Sequence, residues 1–441
     1  MTLASGLRAI LPMPAVMQIM DVILAGFFSD FLSTVFQEIP GCFVGARPKT
    51  QCLDIAHGLQ SVIEKGLDDF GRSAIAQSDI EKFYDSLPCL KIATWLVEKG
   101  ANEKHVACLL RHQLCPRVVL VVGTLDVAIN DRSIGGLTGS RTAGMFGRVP
   151  VESIMVDRSN AWRRWGYKAG GNVLSVCSYV DNLFSASSSL HGAISILEDF
   201  EQQLEERWSL KIKPSSRSCM PAAGSQVQST ALKWPQCNSF HVLGHVLQHN
   251  GSIRNCWRRA RNLMWTSFWA NPGSKLAHRL SPSQRLELLG KAVAPQLDCR
   301  CSRWPPQPTI AGELDAMQRK MVATAMRIPK YPGEEVPSYV RRRGRAAARQ
   351  CKLAGSWPQR CFKRVADWHS HLERPRNANT WPAKTLHHND REWLMRRRAS
   401  LLPVNCSSRS SMAGRTDTRS FPGCVHMRWD DGVEFGKSQL A

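Results

Sequence analysis

Two stretches decide how the chain reads: Ser178-Tyr179-Val180-Asp181-Asn182-Leu183-Phe184, and Ser78-Asp79-Ile80-Glu81-Lys82-Phe83-Tyr84-Asp85-Ser86-Leu87. Each sets an aspartate at the end of an apolar run. Asp79 closes a strand expected over 72–80. Asp181 follows a strand expected over 172–178, with Asp181-Asn182 as the turn into a second short strand. Taken singly, Asp181 reads as an ordinary turn residue and Asp79 as a helix N-cap. Taken together, they match a chemical requirement. Hard divalent cations take carboxylate oxygens, and two of them about 3.5–4 Å apart clamp the attacking and leaving oxygens of phosphoryl transfer.

Around these stretches the patterning mixes periods. Residues 53–66 read as an amphipathic helix, 88–99 as a second helix, 118–127 as one buried strand, and Leu190–Trp208 as a helix with acids on its outer face. Helices and strands interleave without a regular βαβ rhythm, so the fold class is α+β. After Ile253 the pattern is helical and rich in Trp and Arg.

Composition bounds the partners. The chain has 441 residues, 43% of them hydrophobic, a formal charge of +22 and a pI near 9.7. That is length for two or three domains with a sizeable core, and a charge that favours a polyanion, either nucleic acid or an anionic membrane surface. The fifteen cysteines are odd in number and scattered. Together with the lack of a signal-peptide pattern, they point to free thiols in the cytoplasm or nucleus and not to secretion. Residues 13–36 are apolar but interrupted by Asp21 and Asp30, which reads as a packed helix, so no membrane partner is expected.

With the flanking motifs added, the order resembles the reverse transcriptases of non-LTR (LINE-like) retrotransposons. Asp79 to Leu87 is similar to their first polymerase motif, and Tyr179-Val180-Asp181-Asn182 to their Tyr-x-Asp-Asp box. Gly135-Gly136-Leu137-Thr138-Gly139-Ser140 resembles the glycine motif that holds template and nucleotide. Gly41-Cys42-Phe43-Val44-Gly45-Ala46-Arg47 and Arg8-Ala9-Ile10 resemble fingers segments, the second being one that contacts the triphosphate. Leu210-Lys211-Ile212-Lys213-Pro214 resembles the fourth motif, and Phe240-His241-Val242-Leu243-Gly244-His245 the primer-grip hairpin.

The resemblance implies a right-hand polymerase. Fingers and palm would occupy 1–253, with the fingers incomplete, a helical thumb 254–330, a basic helical extension 331–400, and a tail, 401–441, whose Ser/Arg/Gly-rich composition reads as disordered. It implies Asp79 and Asp181 as catalytic metal ligands, with Asn182 beside them, Mg2+ or Mn2+ as cofactor, and an RNA template, a DNA primer and deoxynucleoside triphosphates as partners. It implies nucleotide contacts at Arg8, Arg47, Tyr84, Thr138 and Gly139, and a primer grip at Leu243 and Gly244. Tyr84 would be the wall that excludes a ribose 2′ hydroxyl; core packing is the alternative. Trp257-Arg258-Arg259-Ala260-Arg261 opens the thumb-like region, and basic helices alternating with Trp suit a nucleic-acid backbone and its bases. Arg258, Arg259, Arg341, Arg342, Arg343 and Arg345 are therefore nucleic-acid candidates, the 341–345 run reading equally as a nuclear-localisation patch or a solvated face. Cys351, Cys361, His369 and His371 match no common zinc spacing, so zinc is not expected.

The sequence also departs from the family pattern. Asn182 replaces the second aspartate of the box, Thr138 a glutamine, Arg141 a proline, and Ser216 stands where a lysine often assists the leaving pyrophosphate. Two rivals therefore stay open: an element-derived RNA-binding protein without turnover, and an RNA-templated RNA polymerase, which Tyr84 disfavours.

Overall fold

The computed structural model describes residues 13–387 apart from 48–49, 70, 117, 123–124, 130–131, 170, 225–232 and 305–306. Arg8, the 396–398 arginine run and the tail lie outside the described residues. The chain divides into two compact units at Asn238/Ser239.

The first unit contains, in order, α1 (Ala15–Val35), β1 (Cys42–Val44), α2 (Cys52–Asp68), β2 (Ala74–Asp79), α3 (Phe83–Ser86), α4 (Cys89–Glu98), α5 (Glu103–Leu114), β3 (Val118–Val122), β4 (Leu125–Ile129), α6 (Arg141–Trp162), β5 (Tyr167–Ala169), β6 (Asn172–Leu174), β7 (Val176–Tyr179), β8 (Asn182–Ser187), α7 (Leu190–Trp208) and β9 (Ser218–Pro221). Its main sheet runs β1-β7-β8-β2-β9. Only β1 joins in parallel, beside β7; the other pairs are antiparallel. The interior strand β2, Ala-Ile-Ala-Gln-Ser-Asp, is buried at four of its six positions. Its small residues let helices lie close: α7 packs on β2, β8 and β9, and α2 on β2 and β7. The α7 helix has the bounds its periodicity indicates. Ser189 caps it by accepting from the Gly192 amide, and Ala193, Ile196, Leu197, Phe200, Leu204 and Trp208 form its buried stripe.

Three expectations change. The run 118–127 is not one buried strand: it folds back as the β3–β4 hairpin, with Val121 opposite Asp126 and Val119 exposed. Gly123-Thr124 breaks the apolar run, and Asp126 is a poor occupant of a strand buried on both faces. The run 172–178 is split at Ser175, which is fully buried; its amide donates to the Gly41 carbonyl and its own carbonyl accepts from Ala186. β6 therefore pairs with β5, and β7 enters the main sheet. Finally, α1 packs on one face alone. Leu24, Ala25, Phe28 and Leu32 are buried with Asp21, while Val16, Ile19, Ile23 and Phe27 are exposed. By length and composition alone this helix could cross a membrane.

The second unit opens with a hairpin, β10 (Ser239–Val242) and β11 (His245–Gln248). Helices follow: α8 (Arg254–Ala270), α9 (Pro282–Leu288), α10 (Pro295–Cys301), α11 (Pro308–Met326), α12 (Val336–Ala354), α13 (Trp357–Leu372) and α14 (Trp381–His387). Their core gathers Trp257, Phe268, Trp304, Met321 and Trp357, so those tryptophans serve packing.

Candidate active site

Five of the motifs meet at one end of the main sheet. β2 and β8 pair in a register that sets Asp79 opposite Asn182, and β7 and β8 pair so that Tyr179 faces Asn182. The turn between them is therefore Val180-Asp181, one residue earlier than the Asp-Asn turn expected. Val180 carries it at φ 59°, a left-handed conformation that costs a β-branched residue about 1–3 kcal/mol and concentrates at functional sites. The Asp181 carbonyl accepts from the Ile80 amide at 3.0 Å, so the two aspartates stand at adjacent strand ends. Asn182 donates its side-chain amide to Asp181 Oδ1 at 2.8 Å.

The Leu210–Pro214 motif closes the other flank. Lys213 N donates to Asp79 O, Glu81 N donates to Lys211 O, and Ile80 bridges Ile212. Ser216 Oγ accepts from Asp79 N at 2.9 Å. Ser216 thus clasps the backbone that carries Asp79 and has no proton-donating cation of its own. Nearby Arg217 is held by Glu201 at 2.7 Å.

Two glycines are fixed by close approach. Gly45 donates to the Ser178 carbonyl at 2.7 Å, and a Cβ there would lie 2.5 Å from the Tyr179 ring and 2.9 Å from that carbonyl. This is how the Gly-Cys-Phe-Val-Gly-Ala-Arg segment lies flat beside the Tyr-Val-Asp-Asn strand. Gly135, at φ 85°, would set a Cβ 2.9 Å from Asp85 O. Its amide bonds Leu87 O and the Gly136 amide bonds Tyr84 O, so the glycine motif rests on the backbone just beyond Asp79. Thr138 and Gly139 form the bend before α6, and Ser140 caps that helix.

A cleft of about 330 Å³ opens beside the Val180 turn. Tyr84, Ala46, Arg47, Arg141, Gly144, Arg148 and Ser178 are among its walls. The Tyr84 ring meets Phe83 edge-on at 5.5 Å, so it both packs and faces the cleft. The Cys52 thiol bonded to the Tyr179 hydroxyl, then burial and the nearby Tyr84, push that phenol up to about 12. Arg47 and Arg148 converge on Glu152, whose side chain is fully buried. Glu152 meets two of the three arginines in the described lining, Arg47, Arg141 and Arg148, so that lining carries excess positive charge, which suits a polyphosphate. Arg47 is legible as a site residue in the sequence and Arg141 only as a departure from the family pattern; Arg148 and Glu152 are not singled out there. The Arg148-x-x-x-Glu152 spacing after two glycines was the available signal.

The donor set fits a divalent cation in part. Asp79, at the end of β2, and Asp181, in the β7–β8 turn, offer hard carboxylate oxygens, while the third position is the neutral Asn182. Among the described residues no cluster of three or more His, Cys, Asp or Glu side chains is assembled, so further ligands would have to be main-chain, water or phosphate oxygens.

In the second unit, Leu243 (φ 48°) and Gly244 (φ 88°) form the β10–β11 turn. Arg300 Nε donates to Gly244 O at 3.2 Å, Arg303 Nη2 donates to Val246 O at 3.0 Å, and Arg259 meets His241 at 2.7 Å. Burial, then Arg303 and Arg300, push the His245 imidazole well below its ordinary range. Arg258 is exposed on α8. On α12, Arg341 and Arg345 are exposed, but Arg342 is paired with Glu334 at 2.7 Å and lies 3.8 Å over the Tyr331 ring. Arg343 reaches Ala323 O and Thr324 Oγ1 near the end of α11. Of the residues whose spacing matches no common zinc site, Cys351 is buried on α12, Cys361 lies beside Cys301, and His371 stacks on Trp368 at 4.9 Å.

No family model and no curated protein matches the chain. Among solved structures it is similar to apo telomerase from Candida Tropicalis (8% identity over 83% of this chain and 61% of that one, TM-score 0.42). It is also similar to telomerase from Candida albicans in complex with a TWJ fragment of telomeric RNA (10% identity, 82% and 57%, TM-score 0.38). The chain spans about three fifths of the length of these structures.

Proposed function

We propose that the chain is the polymerase part of a reverse transcriptase of the non-LTR retrotransposon type, extending a DNA primer on an RNA template. One observation carries the reading: the β2–β8 register that sets Asp79 opposite Asn182, with Asp181 in the adjoining turn. Asp79 and Asp181 would hold Mg2+ or Mn2+, which supplies activation of the primer 3′ hydroxyl and charge neutralisation at the leaving pyrophosphate. The protein's own groups position the substrate. Arg47, Arg141 and Arg148 offer cations to a triphosphate, and the glycine motif fixes the backbone behind Tyr84. Tyr84 takes the space a ribose 2′ hydroxyl would need, which favours deoxynucleotides and disfavours the RNA-polymerase reading.

A second reading has its own observation. Asn182 occupies one oxygen of Asp181 with an amide donor, which weakens that carboxylate as a metal ligand and favours an RNA-binding protein without turnover. Primer extension on poly(rA)/oligo(dT), in Mg2+ and then Mn2+, separates the two. Extension supports the polymerase; RNA binding without extension under either metal supports the second reading.

A further inference from the structure

Far from the strand ends in sequence, one carboxylate gathers five contacts. Asp21, on α1, is buried. It accepts from Ser140 Oγ at 2.6 Å, Arg141 N at 2.7 Å, Thr142 Oγ1 at 2.5 Å and Thr142 N at 3.2 Å, and meets His112 Nε2 at 3.1 Å. Gln113, the next residue of α5, completes the set: its Oε1 accepts from Leu137 N at 2.8 Å, and its Nε2 donates to Ser140 Oγ and Thr142 Oγ1. Three helices distant in sequence are therefore locked together where the glycine motif becomes α6. A carboxylate at a helix N-terminus is favoured by the exposed amides there. Burial raises the Asp21 carboxyl, but the bonds from Ser140, Thr142 and Arg141 outweigh it and hold the group below its ordinary range.

The network ends in the cleft. The motif it anchors is bonded to Tyr84 O, and α6, which starts on Asp21, brings Arg141, Gly144, Met145 and Arg148 to the cleft wall. Asp79 and Asp181 hang instead on β2 and the β7–β8 turn, which Asp21 does not touch.

We propose that Asp21 is a positioning residue for nucleotide binding: through Ser140, Arg141 and Thr142 it sets where α6 and the glycine motif stand against Tyr84, and so governs affinity for the incoming nucleotide more than the chemical step. The inference rests on the polymerase reading of the same site. Asparagine at position 21 keeps the size but turns one acceptor oxygen into a donor facing donors.

The test is steady-state extension of poly(rA)/oligo(dT) by the full chain with dTTP varied, comparing wild type, Asp21→Asn and the milder Thr142→Val, each checked by thermal melting. In Asp21→Asn the KM for dTTP rises by about tenfold or more while kcat stays within about threefold, and Thr142→Val moves KM the same way by less. A simple loss of folded enzyme would lower kcat and leave KM alone. An unchanged KM in a folded variant overturns the proposal, and Thr142→Val decides alone if Asp21→Asn does not fold. If wild type extends no primer, the polymerase reading has failed, and calorimetric titration with dTTP and Mg2+ decides this one. Weaker binding by Asp21→Asn supports it; equal binding, or none by wild type, overturns it.

Discussion

The two units handle charge in opposite ways. In the first, charged groups at the site are few, buried or registered, and each has a specific geometry: Asp79 and Asp181 at paired strand ends, Glu152 between Arg47 and Arg148, Asp21 on the start of α6. In the second, arginines are abundant, and several are structural. Arg300 and Arg303 hold the β10–β11 hairpin, Arg342 sits between Glu334 and Tyr331, and Arg343 reaches the end of α11. Counting positive charge therefore overstates how many cations the second unit presents to solvent, while counting carboxylates misses the specific geometry the first unit gives its own.

The sharpest way to break that contrast is to neutralise the two. Asp79→Asn and Asp181→Asn should each lower primer extension by about a thousandfold or more, because an amide cannot replace an anion at a dication. Filter-binding affinity for RNA should stay at the wild-type level, since no phosphate contact is removed. Restoring the acid at the neighbouring position, Asn182→Asp, should leave extension in Mg2+ unchanged or raise it. A sharp loss would mean that the amide bonded to Asp181 is itself required.

A buried charge in the first unit gives the next largest effect. Asp54, fully buried on α2, has its carboxyl pushed by burial up to about 6, against the opposing bond from the Gln51 amide. Its folded value lies above the ordinary 3.8. The folded state thus holds the proton more tightly, and stability falls as pH rises from about 4 through 6. Asp54→Asn cannot ionise and can keep an acceptor for Gln51. It should be more stable than wild type at pH 8 by as much as about 3 kcal/mol, with the difference vanishing below about pH 4. Parallel denaturation curves at both pH values would show that Asp54 is stabilised in its charged form.

Sequence legibility follows the same divide. The strand ending at Asp79 and the helix Leu190–Trp208 were legible because period 2 and period 3.6 are local properties. The ends of the Tyr-Val-Asp-Asn hairpin were nearly so, missed by one residue because Asp-Asn is the better turn former in isolation and the sheet register overrode it. Ser175 was misread because what splits its run is a bond to Gly41, not anything in the run itself, whereas the run 118–127 carries its own break, Gly123-Thr124, which an apolar average hides. Asp21 could be noticed as an interruption of an apolar helix. Its partners, 91 to 121 positions away, leave no periodic trace. Arg342 and Arg343 looked the same as Arg341 and Arg345, because a run of like residues hides which way each side chain faces.

Sugar choice should respond next. Tyr84 lines the cleft while packing edge-on against Phe83. Tyr84→Ala should raise incorporation of UTP relative to dTTP by about tenfold. Because the same change removes an aromatic contact, the ratio and not the rate is the measure; an unchanged ratio assigns Tyr84 to packing alone.

The smallest effect tests the second unit's half of the contrast. Arg341 and Arg345 are exposed on α12, whereas Arg342 and Arg343 are held by neighbours in the same unit. If the run meets RNA, Arg341→Gln with Arg345→Gln should weaken binding across sequences and lower the slope of log K against log salt by about 0.7–0.9 per lost phosphate contact. Arg342→Gln should instead act on stability. The bond from Arg342 draws the Glu334 carboxyl down to about 2, so whatever the pair contributes is present above the ordinary glutamate range and fades as pH falls toward 2. The pair is solvent-screened, and its loss should register as a small drop in melting temperature at pH 7 that closes in acid. A full salt-slope change from Arg342→Gln, with no change in melting, would place that guanidinium on the nucleic acid and return the whole run to the footprint. An unchanged slope in the Arg341/Arg345 double variant would remove α12 from the footprint and leave the exposed Arg258 and Arg259 as the cations of this unit to test.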